Sequence, residues 1–272
     1  IKFLQSLKWL LNQIEGKVKM SKVFYYDTEK DKELFKKLFL DLIVIEGSDG
    51  SGKATQSNML MQYIEKETNV YPYLLDFPDY GSDTGKLVTA MLQGKFGNDA
   101  AELNPYFTSP MYGLDRYQYI QRVANESPYK PAVGICNRYT MSNLIHQGAR
   151  LSNEDLIAYW SWLYDFEFNH LGLPKPTITI YLEVPYEVSY KNVVKRAEEN
   201  HITLDINEKK SYLKMVSDHL QRLKSLVDWK FINCYDEEKG EMRSIDAIHR
   251  DVKKAIYEAH STISHLFFQY DS

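Results

Sequence analysis

LIVIEGSDGSGK, residues 42–53, decides the fold. Four apolar, mostly β-branched residues end in a glycine-rich turn that closes on a lysine. The run is too short for a helix and has the composition of a buried strand. Beyond it, residues 53–67 carry apolar side chains at helical spacing. Gly47, Ser48, Asp49, Gly50, Ser51, Gly52 and Lys53 therefore spell GxxxxGK between a strand and a helix. Glycines let the backbone curl until successive N–H groups point at one anion. The helix behind adds its positive end, and Lys53 adds a point charge suited to a β- or γ-phosphate. In many such turns the residue after the lysine is Ser or Thr, whose hydroxyl ligates Mg²⁺. Here it is Ala54. Thr55 follows, rotated by about 100° around the helix.

Working outward, apolar runs recur at residues 70–77, 132–136, 177–182 and 230–234. Helical periodicity fills residues 84–92, 105–125, 153–170, 186–200, 207–227 and 245–263. Strands alternating with helices predict an α/β fold: a five-stranded parallel sheet with helices on both faces. Right-handed crossovers would bring every strand's C-terminal end to one edge, where ligands of open α/β sheets bind. The polar motifs fall at those ends.

Asp76-Phe77-Pro78-Asp79-Tyr80 closes the second run. Phe77 is a candidate to buttress a base, or a core aromatic at a strand end. Arg116, within Leu114-Asp115-Arg116-Tyr117, is a candidate to fork onto a phosphate or base edge, with a surface pair to Asp115 as the alternative. Asn137-Arg138-Tyr139 follows the third run. An arginine directly after a buried strand is hard to explain by packing. Gln147 can read a base edge with its paired donor and acceptor. Arg196 lies at the root of a polar stretch, residues 196–210, which suits a lid that closes over a phosphoryl group. Core or subunit packing suits the aromatics of residues 153–170, with Tyr164 a candidate to face an acceptor.

The chain has 272 residues, 44% hydrophobic, and a net charge of −4. A core of that size excludes wholesale disorder. The charge balance shows no basic face or tail for a nucleic acid, and no apolar run is long enough for a membrane span. Two cysteines, Cys136 and Cys234, sit in strand-like runs and read as buried hydrophobes, which suits a reducing cytoplasm. Residues 1–40 read as an N-terminal extension. Within it Leu4, Leu7, Leu10, Leu11 and Ile14 keep helical spacing, and Met20 reads as a natural start, so 1–19 is expected to be appended. The main domain is expected over 41–265, followed by a tail, 266–272.

The ordered set IEGSDGSGKATQ (45–56), DFPDY (76–80), TGKL (84–87), LDRY (114–117), NRYTMSNLIHQG (137–148) and TITIYLEVP (177–185) resembles thymidylate kinase. That resemblance implies a P-loop kinase that phosphorylates dTMP to dTDP with ATP and Mg²⁺, often as a homodimer. It implies that the loop from Gly47 through Ala54 and Thr55 holds ATP. It implies catalytic parts for Asp49, Lys53, Arg138 and Arg196. Phe77, Pro78, Arg116, Arg138, Tyr139, Gln147 and Tyr164 would meet the acceptor. Three departures stand out: Ala54 for Ser or Thr, Asn137 for Asp, and Tyr80 for Arg. They mark a divergent branch. Two alternatives stay open here: another acceptor, such as dUMP or a deoxynucleoside, or a nucleotide-binding protein with little catalysis.

Overall fold

In the computed structural model, residues 38–126, 132–201 and 203–259 are described. The expected appended segment 1–19 and the tail 266–272 lie outside them. The first strand, β1 (Phe39–Gly47), runs through the centre of a five-stranded sheet. Its neighbours are β3 (Ala132–Asn137) and β4 (Ile178–Glu183). Outside them lie β2 (Pro72–Asp76) and β5 (Lys230–Asn233), giving the order β2-β3-β1-β4-β5 with every pair parallel.

β1 is buried on both faces because it alternates between two apolar layers. Ile43 and Ile45 pack with Leu60 and Ile64 of α1 (Lys53–Glu67) and with Val252 and Ile256 of α8 (Ile245–Glu258). Leu42 and Val44 face the other way, against Ile120 and Val123 of α3 (Pro105–Glu126). Each such side chain contributes about 1.5–3 kcal/mol of burial, so a polar residue at Val44 or Ile45 would undo one layer. Both cysteines are fully buried within these layers.

The remaining helices form an outer layer. They are α2 (Asp83–Leu92), α4 (Thr140–His146), α5 (Asn153–Tyr164), α6 (Tyr186–Glu199) and α7 (Lys210–Leu223). Met91, Leu144, Tyr159, Tyr212 and Leu220 join most of them in a third apolar cluster. Serines start three helices in the expected way. Ser82, Ser152 and Ser244 each accept a hydrogen bond from the backbone N–H three residues on. α1 differs: it begins at Gly52 in a left-handed conformation with no side-chain cap, which leaves its first-turn N–H groups for another acceptor.

Three features depart from the sequence reading. α4 is a seven-residue helix in the stretch after strand three, too short for periodicity to reveal. The expected helix 153–170 changes at Asp165 into a π-helical turn, Asp165–His170. A hairpin of two short strands, β6 (Tyr235–Asp236) and β7 (Glu241–Met242), precedes α8.

Candidate active site

The C-terminal ends of β1, β2 and β3 open into a cleft of about 590 Å³, within the range of small-molecule sites. Its floor is the Gly47–Lys53 turn. Gly50 and Gly52 hold φ values of 74° and 92°, which L side chains rarely adopt. A Cβ on Gly50 would also stand 2.6 Å from the Asn192 Cβ. α6 supports the turn from behind: Ser189 Oγ donates to the Asp49 carbonyl at 2.7 Å, and Asn192 Nδ2 to the Gly50 carbonyl at 3.3 Å.

Lys53 Nζ lies over the turn, donating to the Gly47 and Ser48 carbonyls at 2.9 and 2.8 Å. It stands 3.7 Å from Asp49 Oδ1. Burial lowers its pKa to about 7, helped by the charge of Arg138 and opposed by Asp49 and Glu46. Ala54 and Thr55 line the cleft beyond it.

Arg138 faces the turn from the end of β3. Its guanidinium forms an ion pair with the Asp49 carboxylate. Burial works to raise Asp49, but Arg138 and then Lys53 outweigh it and hold the carboxyl well below its usual range. The Arg138 backbone is itself unusual, with φ at 67°. Such strain at a non-glycine residue persists where the surroundings over-determine it. Here Arg138 N–H donates to the Ile45 carbonyl at 3.2 Å. The next residue is held by Glu46, whose buried carboxylate accepts from Tyr139 N at 2.8 Å and Ser142 Oγ at 2.7 Å. His146 Nε2 lies 3.5 Å from Arg138 Nη1. Burial, then Arg138, lowers the His146 pKa to about 3, so that ring is neutral.

The far end of the cleft is built on a buried ion pair. Arg116, 2% exposed, pairs with Glu167 through two nitrogens, and Nη2 also donates to Asn143 Oδ1 at 2.8 Å. Thr140 Oγ1 donates to Glu167 Oε2 at 2.5 Å. Arg116 still lines the cleft, beside Asn143 and the buried Gln147. Tyr112, one turn earlier on α3, adds its ring. Phe77 is a core aromatic, 4% exposed and edge-on against Tyr119, and it also contributes to the cleft with Pro78.

Arg196 also reaches the cleft, where it pairs with Glu208. Glu208 Oε2 accepts from Asp205 N at 3.0 Å. Burial, then the charge of Glu208, raises Asp205 to about 6. The Ile206 N–H ties this stretch to the Leu92 carbonyl at the end of α2, at 3.3 Å.

Three expectations need correction. Tyr139 does not line the cleft: it is fully buried against Phe77 and Phe168, and its hydroxyl donates to the Pro174 carbonyl at 2.9 Å. Tyr164 points elsewhere, with its ring on Phe168 and Trp160 under Lys175 Nζ at 4.7 Å. Asp115 does not pair with Arg116 at the surface. It accepts from Asp79 N and Ser82 Oγ, each at 3.0 Å, and fastens the loop after β2 to α3.

Gly47, Ser48 and Ser51 supply the backbone of the turn rather than the cleft wall. Sequence reading missed Asp76, Tyr112, Asn143, His146, Asp205 and Glu208, which line the cleft, and Glu167 behind it. Tyr112 had a signal, since it lies four residues before Arg116 on one helix face. Glu167 had none: it lies 51 positions from Arg116, and the π-helical turn brings it there.

With this geometry in place, the sequence model of the thymidylate kinase family matches residues 45–244. A probable thymidylate kinase of Pyrococcus horikoshii is 26% identical over 214 residues, covering 77% of this chain and 92% of that protein. One of Methanocaldococcus jannaschii is 28% identical over 210 residues, with the same two shares. Thymidylate kinase of Mycobacterium tuberculosis is 30% identical over 158 residues, covering 58% of this chain and 72% of that protein. Among solved structures, thymidylate kinase of Candida albicans superposes with a TM-score of 0.56 at 20% identity, covering 80% of this chain and 91% of that one. A family match across 200 residues, on a parallel sheet that carries its glycine-rich turn and its strand-end arginine at one cleft, shows that this chain belongs to the thymidylate kinase family.

Proposed function

We propose that this chain transfers the γ-phosphoryl group of ATP to dTMP, forming dTDP and ADP for DNA precursor synthesis. One observation carries the reading: a phosphate cradle with a buried lysine faces a strand-end guanidinium across one cleft. The related thymidylate kinases named above support dTMP as the acceptor.

In this mechanism an acceptor phosphate oxygen attacks the γ-phosphorus, and the β–γ bridging bond breaks toward ADP. Such a transfer needs positioning and charge neutralisation more than covalent help. The N–H groups of Gly50 to Lys53 would hold the donor. Lys53 would leave its two carbonyl partners for phosphate oxygens, which favour its charged form more strongly. Arg138, held by Asp49, would take the acceptor phosphate. At the far end Tyr112 and Phe77 offer ring surfaces, while Gln147, Arg116 and Asn143 offer polar atoms to a base. Arg196 is the cleft's candidate to meet charge developing on the transferring group. The segment 196–210 would act as its lid, within a kinase domain spanning 41–265.

Mg²⁺ belongs to this reading. No group of three His, Cys, Asp or Glu side chains among the described residues would hold a metal alone. Asn137 Oδ1, by contrast, is a buried oxygen without a hydrogen-bond partner among them. Oxygens at the ends of β2 and β3, with triphosphate oxygens and water, fit a hard cation. The ion would neutralise charge on the donor phosphates.

A homodimer also belongs here. Phe107 and Leu114 on α3 and Leu87 on α2 are exposed apolar side chains, the kind of surface that association covers. No helix among the described residues is long and apolar enough to cross a membrane. Two free, buried thiols suit the cytoplasm. ADP release measured across dTMP, dUMP, thymidine and no acceptor tests the reading. Turnover highest with dTMP is expected, and acceptor-independent background alone would sink it.

A further inference from the structure

Asp76 and Asn137 end adjacent parallel strands and are directly in register. Asn137 Nδ2 donates to Asp76 Oδ1 at 2.7 Å, which turns the amide oxygen, Asn137 Oδ1, to a buried position with no hydrogen-bond partner among the described residues. Both side chains line the cleft beside Lys53 and Arg138, and Asp76 is exposed to it. The residue after Lys53, Ala54, has no side-chain oxygen to offer.

The other carboxylates of this cleft are engaged. Asp49 pairs with Arg138. Glu208 pairs with Arg196. Asp115 accepts from Asp79 N and Ser82 Oγ. Asp205 accepts two backbone N–H groups, at 2.7 and 3.1 Å. Asp76 stands apart: among the described residues one donor, the Asn137 amide, reaches one of its oxygens, and the other oxygen faces the cleft with its charge left for a cation. A hard divalent ion prefers such an anionic oxygen to an amide, and it completes its shell with phosphate and water.

We propose that the Asp76 carboxylate, oriented by the Asn137 amide, is the charged protein ligand of the divalent cation that accompanies the donor triphosphate. The assignment rests on the phosphoryl-transfer reading above. It places the carboxylate one strand over from Asn137, at the end of β2 rather than β3. Asn137 acts as a positioning residue whose oxygen faces the same ion.

Mn²⁺ binding to the full chain, followed by electron paramagnetic resonance with a non-hydrolysable ATP analogue present, tests this. Binding of the same analogue in EDTA is measured in parallel. Asp76→Asn is expected to weaken Mn²⁺ roughly 10–100-fold and to leave metal-free analogue binding unchanged. Asp205→Asn is expected to hold Mn²⁺ as wild type does. Wild-type Mn²⁺ affinity in Asp76→Asn overturns the assignment. So does an equal loss in Asp205→Asn, which would mean that only the general charge of the cleft matters. A wild-type chain that binds no analogue either with Mn²⁺ or in EDTA overturns the cradle itself, and the Asp76 assignment with it.

Discussion

Arg138 and Asp49 form an ion pair across 89 residues of sequence, joining the end of β3 to the turn after β1. The pair holds a guanidinium over the Gly47–Lys53 turn. Lysine cannot reproduce that fork. Arg138→Lys is expected to lower kcat/KM about 100-fold or more, chiefly through the acceptor's KM, in a coupled ADP-release assay. Wild-type acceptor KM in that variant would remove Arg138 from the acceptor site.

Lys53 is buried over its own loop, so its removal deletes charge from the cradle without opening the sheet. Lys53→Ala is expected to cut turnover about 10²–10³-fold or more and to leave the circular dichroism spectrum unchanged. A variant that retains wild-type turnover would falsify the cradle assignment.

The Arg116–Glu167 pair is almost wholly buried, with side chains 2% and 0% exposed. Breaking such a pair leaves an uncompensated charge, which costs about 3–5 kcal/mol. Glu167→Ala should therefore lower the urea midpoint strongly and raise the KM of the acceptor. Unchanged urea unfolding would show that Arg116 finds another partner.

Three histidines that burial keeps neutral tie stability to pH: His146 in the cleft and two outside it. His219 Nε2 lies 3.0 Å from the Leu144 carbonyl, and His249 Nδ1 lies 3.0 Å from Gln56 Oε1. Burial lowers both to about 4, from an ordinary value of 6.5. Between those values the unfolded chain binds the protons that the folded chain refuses, so stability falls as pH drops from about 6.5 towards 4. Denaturant midpoints across that range are expected to decline, and His249→Gln to flatten part of the slope. An equal slope in wild type and His249→Gln would contradict the burial of that neutral ring.

Ala54 occupies the first turn of α1 and lines the cleft. Ala54→Ser adds a hydroxyl there at almost no steric cost. Tighter Mn²⁺ binding in the nucleotide complex is expected, with turnover at limiting Mg²⁺ raised several-fold. An unchanged metal titration would place the ion out of that hydroxyl's reach.

Much was legible in the sequence. The run at 42–45 is apolar at every position because both faces of the sheet are covered, and short-range pattern alone carries that information. The GxxxxGK spacing marks the turn because its backbone needs glycine at Gly50 and Gly52, a local requirement of φ. Helix starts at Ser82, Ser152 and Ser244 are local for the same reason: a hydroxyl reaches an N–H three residues away. The tertiary structure alone decided which groups neutralise which. Arg116 could meet Asp115 or Glu167, Asp76 could face solvent or Asn137, and Tyr139 could face the cleft or the core. Each choice depends on strand order and on a π-helical turn, which bring distant residues to one point. Charge pairing and desolvation act through space, and no spacing along the chain records them.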